Sequence, residues 1–179
     1  RSQILYAFGA PITLKQEDIE FRGHSIEARI TNLDPYSESY GPMGGKTIER
    51  YLPPKRTDRM RHYGYVNSGN TLTSFDPMFA KLVGRGHDRQ EAVEALFRAL
   101  SEFIVDGPAF RHNIPHQLFV ICHPKFLARE YNSETMTEIR QLFLEKFVPF
   151  FDDKFGKENR YNSPIVADAV NLFYGQHFH

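Results

Sequence analysis

The sequence is short of the features that tie a chain to one environment. It holds a single cysteine, Cys122, so no disulfide can form within it, and the cross-linked scaffolds of small secreted domains are excluded. Charge of one sign is lacking as well: Lys+Arg 22 stand against Asp+Glu 22, which leaves no overall field to draw the chain to nucleic acid or to an anionic membrane. Any partner must be recognised locally. No apolar run approaches the ~18 residues of a membrane span, and no charged-then-apolar signal pattern opens the chain. Together these absences predict a soluble intracellular domain with neither nucleic acid nor membrane as partner, cytoplasmic in the first instance, with mitochondrion and plastid left open. The strand-to-helix junction "LVGRGHDRQEA" lacks the Gly-Lys-Ser/Thr ending of a P-loop, and no Ser/His/Asp order, setting for a cysteine nucleophile or paired-carboxylate motif stands out.

What is present is enough chain for one domain. A length of 179 residues lies within the roughly 100 to 200 expected. The first residues, "RSQILYAFGAPITL", contain no Met and read as a helix already under way, the start expected of a piece cut from a longer protein. Ser2 can cap that helix, Ile4, Leu5 and Phe8 share a face, and Gly9 and Pro11 end it. In "GHSIEARITNLDP" the residues Ile26, Ala28 and Ile30 alternate with polar ones, the period of a half-buried strand. Further strands are expected over Thr47–Leu52, after Arg61, and over Phe79–Val83, with a hairpin reversal at Ser68–Asn70. Gly84-Arg85-Gly86 reads as a turn, and Asp88 as the cap of a helix burying Ala92, Val93, Leu96, Leu100 and Phe103 until Gly107-Pro108 stops it. Ile114–His123 fits helix or strand equally. From Ser133 the residues Met136, Ile139, Phe143 and Phe147 recur at helical spacing up to Pro149; Ser163-Pro164 opens a last helix, and Gly175 closes it. Strands come first and helices later, so the class is α+β: an antiparallel sheet with flanking helices.

Each chemically suggestive cluster has a plain reading beside it. The helix start after Gly86 could hold an anion, but a lone Gly-x-Gly is weak and a turn is expected. His112, His116, Cys122 and His123 lack the disciplined spacing of a zinc site, and no metal is expected. Glu27 and Arg29 face one side of their strand and read as an ion pair. Lys55, Arg56, Arg59 and Arg61 form a cationic run offset by Asp58 alone. Such a run is a solvated loop unless one guanidinium enters a cleft, where its fixed charge and planar fork would suit a carboxylate, a phosphate or a developing oxyanion.

Three blocks in one order carry a more specific signal: "QILYAFGAPITLKQEDIEFRGHSIEARITNLDP", "YGPMGGK" and "SFDPMFAKLVGRGHDRQEAVEALFRALSEFIVDGPAFRHNI". Together they resemble the C-terminal domain of biotin carboxylases, over about Gln3 to Tyr131. The resemblance implies residues 1–131 as that domain and residues 132–179 as an extra helical C-terminal extension. It implies that the chain supplies the biotin-side wall of a site closed by an ATP-grasp domain, where ATP and Mg would be bound, and that it is inactive by itself. It implies as partners the same enzyme's ATP-grasp domain, a biotin carboxyl carrier domain bearing the biotin, a carboxyltransferase, and a second copy in a homodimer. Counted back from the Gly69 turn, the arginine that steadies charge on the biotin ureido oxygen falls on Arg61, with Arg59 as the alternative register, and Asp76 falls on the family's aspartate at the cleft edge. The sequence departs from that pattern at Tyr63, where an acidic residue is usual, in "KRTDR", where glycines are usual, and in a stretch before Asp76 about one residue short. A second function stays open on those departures, a non-catalytic scaffold or dimerisation domain of a carboxylase complex.

Overall fold

The computed structural model describes residues 2–11, 14–73 and 76–178. Helix α1, Ser2–Ala7, comes first, and Gly9 follows at φ +82°; the side chain of Ser2, expected as its cap, lies outside the described residues. Strands β1 (His24–Thr31), β2 (Arg50–Leu52), β3 (Met60–Gly64) and β4 (Met78–Gly86) precede helix α2 (Arg89–Glu102) and strand β5 (Ile104–Asp106). Helices α3 (Ile114–Ile121), α4 (Pro124–Leu127), α5 (Ser133–Leu142), α6 (Val148–Phe155) and α7 (Ser163–His177) complete the chain. The α+β class, with antiparallel strands early and helices late, is as the sequence predicts.

The main sheet has the order β1-β4-β3, antiparallel throughout. Its period-two alternation sends Ala28, Ile30, Leu82, Gly84 and Met60 inward, and α2 lies over them with Ala92, Leu96, Ala99 and Leu100 buried. Asp88 caps α2 as expected, its carboxylate accepting from Glu91 N at 2.9 Å. Between Ile30 and Thr31 the β1–β4 register slips by one, and Phe79, at the slip, is fully buried with its ring against Phe110. A second, two-stranded sheet pairs β2 with β5.

Several boundaries differ from the sequence reading, each for a local reason. Gly84 and Gly86 are not a turn but strand residues. A Cβ on Gly84 would stand 2.5 Å from Ala92 O, and one on Gly86 2.3 Å from Glu91 Cβ, so the glycines let α2 lie close on β4. Arg61 lies inside β3, which begins one residue earlier. The strand expected over Thr47–Leu52 is confined to β2, because Thr47 and Ile48 pair instead with the Asn70–Thr71 segment. The Ser68–Asn70 turn, with Gly69 at φ +91°, is part of a long β3–β4 connection, not a tight hairpin. Helix α2 ends at Glu102, before β5, rather than at Gly107-Pro108.

Ile114–Ile121 is helical: Pro115 sits in the first turn, where a missing N–H costs nothing. Pro149 does not end the helical run, which continues to Phe155. The preceding residues Phe143–Phe147 form a π turn, closed by Val148 N donating to Phe143 O, and the proline opens α6. The α7 cap is Asn162, whose side chain accepts from Ile165 N, with Ser163 as the first helical residue, and α7 runs through Gly175 to His177. Rings of Phe143, Phe147, Phe173 and Tyr174 surround Phe119, and this aromatic layer is continuous with the core under the sheet.

Candidate functional site

While one face of the β1-β4-β3 sheet is packed under α2, the other is open. Residues paired across antiparallel strands share a face, and the register sets Glu27 and Arg61 on either side of Val83, and Arg29 and Tyr63 on either side of Lys81. Arg85 extends the row, its N–H donating to Arg59 O at 2.7 Å. The open face thus gathers Arg29, Arg61, Lys81 and Arg85 around the single carboxylate of Glu27. A cationic surface of this kind suits an anion or a group that becomes anionic.

The surroundings of these side chains differ. Lys81 Nζ stands 3.4 Å from Glu27 Oε1. Glu27 therefore pairs across strands and not with Arg29, which the sequence suggested; Arg29 Nε points to Met78 Sδ at 3.3 Å. Arg61 is half-buried, and among the described residues none of the side-chain hydrogen bonds or ion pairs involves it or Arg85. Arg59, exposed, leans toward α2, with Nη1 at 3.7 Å from Glu91 Oε2. Lys55 and Arg56 are exposed. The cationic run therefore divides, with one guanidinium on the sheet face and the rest along its margin.

Asp76 lies elsewhere. It is exposed just before β4, and its Oδ1 accepts from Met78 N at 3.0 Å, an aspartate turn that starts the strand. Arg61 is opposite Val83, five strand residues beyond Met78, so roughly 16 Å of strand separates the two levels at about 3.3 Å per residue. The structure does not bring Arg61 and Asp76 together. With Tyr65, Val66, Asn70, Thr71, Leu72 and Thr73, Asp76 instead lines a separate shallow cavity of about 500 Å³. Ser74 and Phe75, in the same block of the sequence, lie outside the described residues. Tyr63, in the position of the usual acidic residue, is exposed beside Lys81.

His112 and His116 are structural. Both are buried, and desolvation holds their imidazoles neutral, down to about 4 and about 3 respectively. His112 lies edge-on to Tyr161, and His116 to Tyr40 and Phe143. Burial pushes the Cys122 thiol up to about 12, so it is unreactive as a nucleophile. Among the described residues no group of three or more His, Cys, Asp or Glu could hold a metal ion, and no helix is long and apolar enough to cross a membrane.

Local sequence pattern does not single out the cations of β4. Lys81 and Arg85 stand in a segment whose pattern predicts a buried strand and a turn; their spacing at alternate positions around Val83 is the signal the sequence offers.

Sequence comparison bears on this geometry directly. A family model described as the biotin carboxylase C-terminal domain matches residues 27–138, more than half of the chain. The chain belongs to this family. It is 37% identical over 138 residues to "Biotin carboxylase 1" of Bacillus subtilis (strain 168), covering 75% of this chain and 29% of that protein. It is 31% identical over 140 residues to the mitochondrial propionyl-CoA carboxylase alpha chain of Mus musculus, covering 78% of this chain and 19% of that one. Among solved structures, the biotin carboxylase domain of a thermophilic 2-oxoglutarate carboxylase, bound to bicarbonate, superposes with a TM-score of 0.72 at 29% identity. That match covers 79% of this chain and 31% of the other. This biotin carboxylase C-terminal domain thus spans about a third or less of each relative named. The matched residues contain the whole open face from Glu27 to Arg85 and end within α5.

Proposed function

We propose that this domain forms the biotin-side wall of a biotin carboxylase, in which ATP and bicarbonate supply an activated carboxyl group to biotin on a carrier domain. The observation that carries the proposal is the half-buried Arg61, without a side-chain bonding partner among the described residues, on a cationic sheet face in a chain of this family. ATP and Mg would be held by the ATP-grasp portion of the same enzyme, so the chain by itself would be inactive. The carrier domain, a carboxyltransferase and a second copy of the enzyme are the proposed partners, and cytoplasm, with mitochondrion or plastid as alternatives, the proposed location. Residues 1–131 form the family domain on this reading, and 132–179 its helical extension.

Carboxylation at a ureido nitrogen builds negative charge on the ureido oxygen. A guanidinium fixed in advance stabilises that charge more in the transition state than in the ground state, which is the condition for raising a rate. Arg61 is held for this by the β3–β4 ladder, in which it pairs with Val83 of the central strand. Arg59, turned toward Glu91, is a weaker choice, and Asp76 would act at the cleft edge by ordering the start of β4.

The test is carboxylation of free biotin by the full-length protein with Mg-ATP and bicarbonate. Arg61→Ala should lower kcat by about 10² to 10³, as for loss of one oxyanion donor, with stability hardly changed. Arg61→Lys should recover part of that loss, since an ammonium supplies charge without the fork. Damage from Arg59→Ala instead would move the role by two residues. A wild-type protein without bicarbonate-dependent ATP cleavage would favour the second reading, a non-catalytic scaffold, to which Tyr63 in place of the acidic residue already points.

A further inference from the structure

The loop between β1 and β2 is held from two sides. On one side, residues of the C-terminal region bond its backbone and side chains. Arg140 Nη2 donates to Ser37 O at 2.6 Å and Nη1 to Pro35 O at 3.4 Å, while its guanidinium lies 4.1 Å from the Tyr40 ring centroid. Tyr161 donates its hydroxyl to Asp34 Oδ1 at 2.6 Å, and Tyr36 donates to Arg160 O at 2.6 Å. Tyr40 needs such a grip, since its φ of +45° is a left-handed conformation that costs a bulky residue free energy.

On the other side the same loop is bonded to the β3–β4 connection. Asn32 N donates to Pro77 O at 2.7 Å, Gly45 N to Leu72 O at 2.7 Å, Leu72 N to Lys46 O at 3.2 Å, and Ile48 N to Asn70 O at 2.9 Å. Apart from an isolated Thr47–Thr71 bridge, the described part of that connection has no strand or helix of its own. It depends on the loop for its shape, and it carries Asp76 and the small cavity beside it.

We propose that Arg140 is a positioning residue: by clamping the carbonyls of Pro35 and Ser37 it fixes the β1–β2 loop, and through that loop the described part of the β3–β4 connection, which walls the small cavity at Asp76. Arg140 stands two residues beyond the family match and Tyr161 further still, so a C-terminal feature outside the matched residues sets the shape of a segment within them. That this wall serves biotin rests on the function proposed above; the mechanical coupling does not.

Backbone hydrogen exchange and biotin-carboxylation kinetics on the full-length protein test the two parts separately. In Arg140→Ala, exchange should rise about tenfold in residues 33–45 and 65–73, the scale of losing one charge-assisted hydrogen bond, while β1, β4 and α2 stay protected. The biotin KM should rise with the ATP KM unchanged, and Arg140→Lys should restore part of both. Tyr161→Phe, which keeps the ring and removes one donor, should show the same pattern more weakly, and serves if Arg140→Ala does not fold. Exchange confined to residues 133–178, or a general fall in stability with every kinetic constant altered together, would overturn the proposal. Wild type without carboxylation would overturn the functional reading alone, because exchange in 65–73 still decides the coupling.

Discussion

Arg61 and Arg140 carry the same guanidinium into different surroundings. On the seam between the loop and the C-terminal helices every cation is bonded: Arg140 to two carbonyls and the Tyr40 face, Arg160 to Asp152 at 2.8 Å beneath Tyr36, Arg111 to Phe110 O over Tyr161. On the open sheet face, by contrast, the bonds are few: a Lys81–Glu27 contact, a weak Arg29–Met78 contact, and none for Arg61 or Arg85 among the described residues. A stacked and hydrogen-bonded guanidinium stabilises a fold, since its donors are satisfied where water is scarce. One left unsatisfied on a half-buried surface adds little to stability and is available to a ligand. The comparison separates structural cations from candidate functional ones without reference to any relative.

Mutations can widen or close that gap. The largest effect is expected at the aromatic layer beneath the seam: Phe119→Ala should cost about 3–5 kcal/mol by urea denaturation, because the surrounding rings cannot fully collapse onto the cavity. Tyr63→Ala on the open face should stay within about 0.5 kcal/mol of wild type, as surface changes do. Equal costs at the two positions would erase the distinction.

Acid should also find the seam first. The His112 imidazole is held down to about 4 against an ordinary value near 6.5, so between these pH values the unfolded chain binds a proton that the folded chain refuses. Stability should therefore fall as pH drops from about 6.5 toward 4, by on the order of 3 kcal/mol from His112 alone. His116, held down to about 3, adds in the same direction. Urea midpoints measured from pH 7 to pH 4 give the slope, and His112→Gln should flatten it; an unchanged slope in that variant would place the acid sensitivity elsewhere.

A smaller effect tests the helix-covered face of the sheet. Gly84→Ala puts a methyl group 2.5 Å from Ala92 O, and the shift of α2 it forces should cost about 1–3 kcal/mol. A thermal midpoint equal to wild type would mean that α2 moves freely over β4. Smaller than that, Asp88→Ala removes the cap of the same helix and should cost about 1 kcal/mol by the same measurement.

Much of the fold was legible in local pattern. The alternation of Ile26, Ala28 and Ile30, the Asp88 cap and the helical spacing from Met136 to Phe147 each depend on near neighbours in the chain, and each appears in the structure close to where the sequence places it. The three quoted blocks were enough to indicate the family. What local pattern could not supply was anything that depends on a surface approaching from elsewhere. Gly84 and Gly86 read as a turn because glycines in isolation signal chain reversal; only the close approach of α2 makes them strand residues. Strand β5 is three residues long and exists because β2 lies beside it. Arg61 is twenty residues before Lys81 in the sequence, and register alone sets it on the face of Lys81 and Arg85; the same register holds Asp76 away from Arg61. The sequence by itself determined the class of elements, the family and the residue types available for chemistry, because these follow from side-chain period and local hydrogen-bonding preference. Which cations are bonded and which are left open was decided only by the tertiary structure, because the carbonyls that satisfy Arg140 come from more than a hundred residues away in the chain.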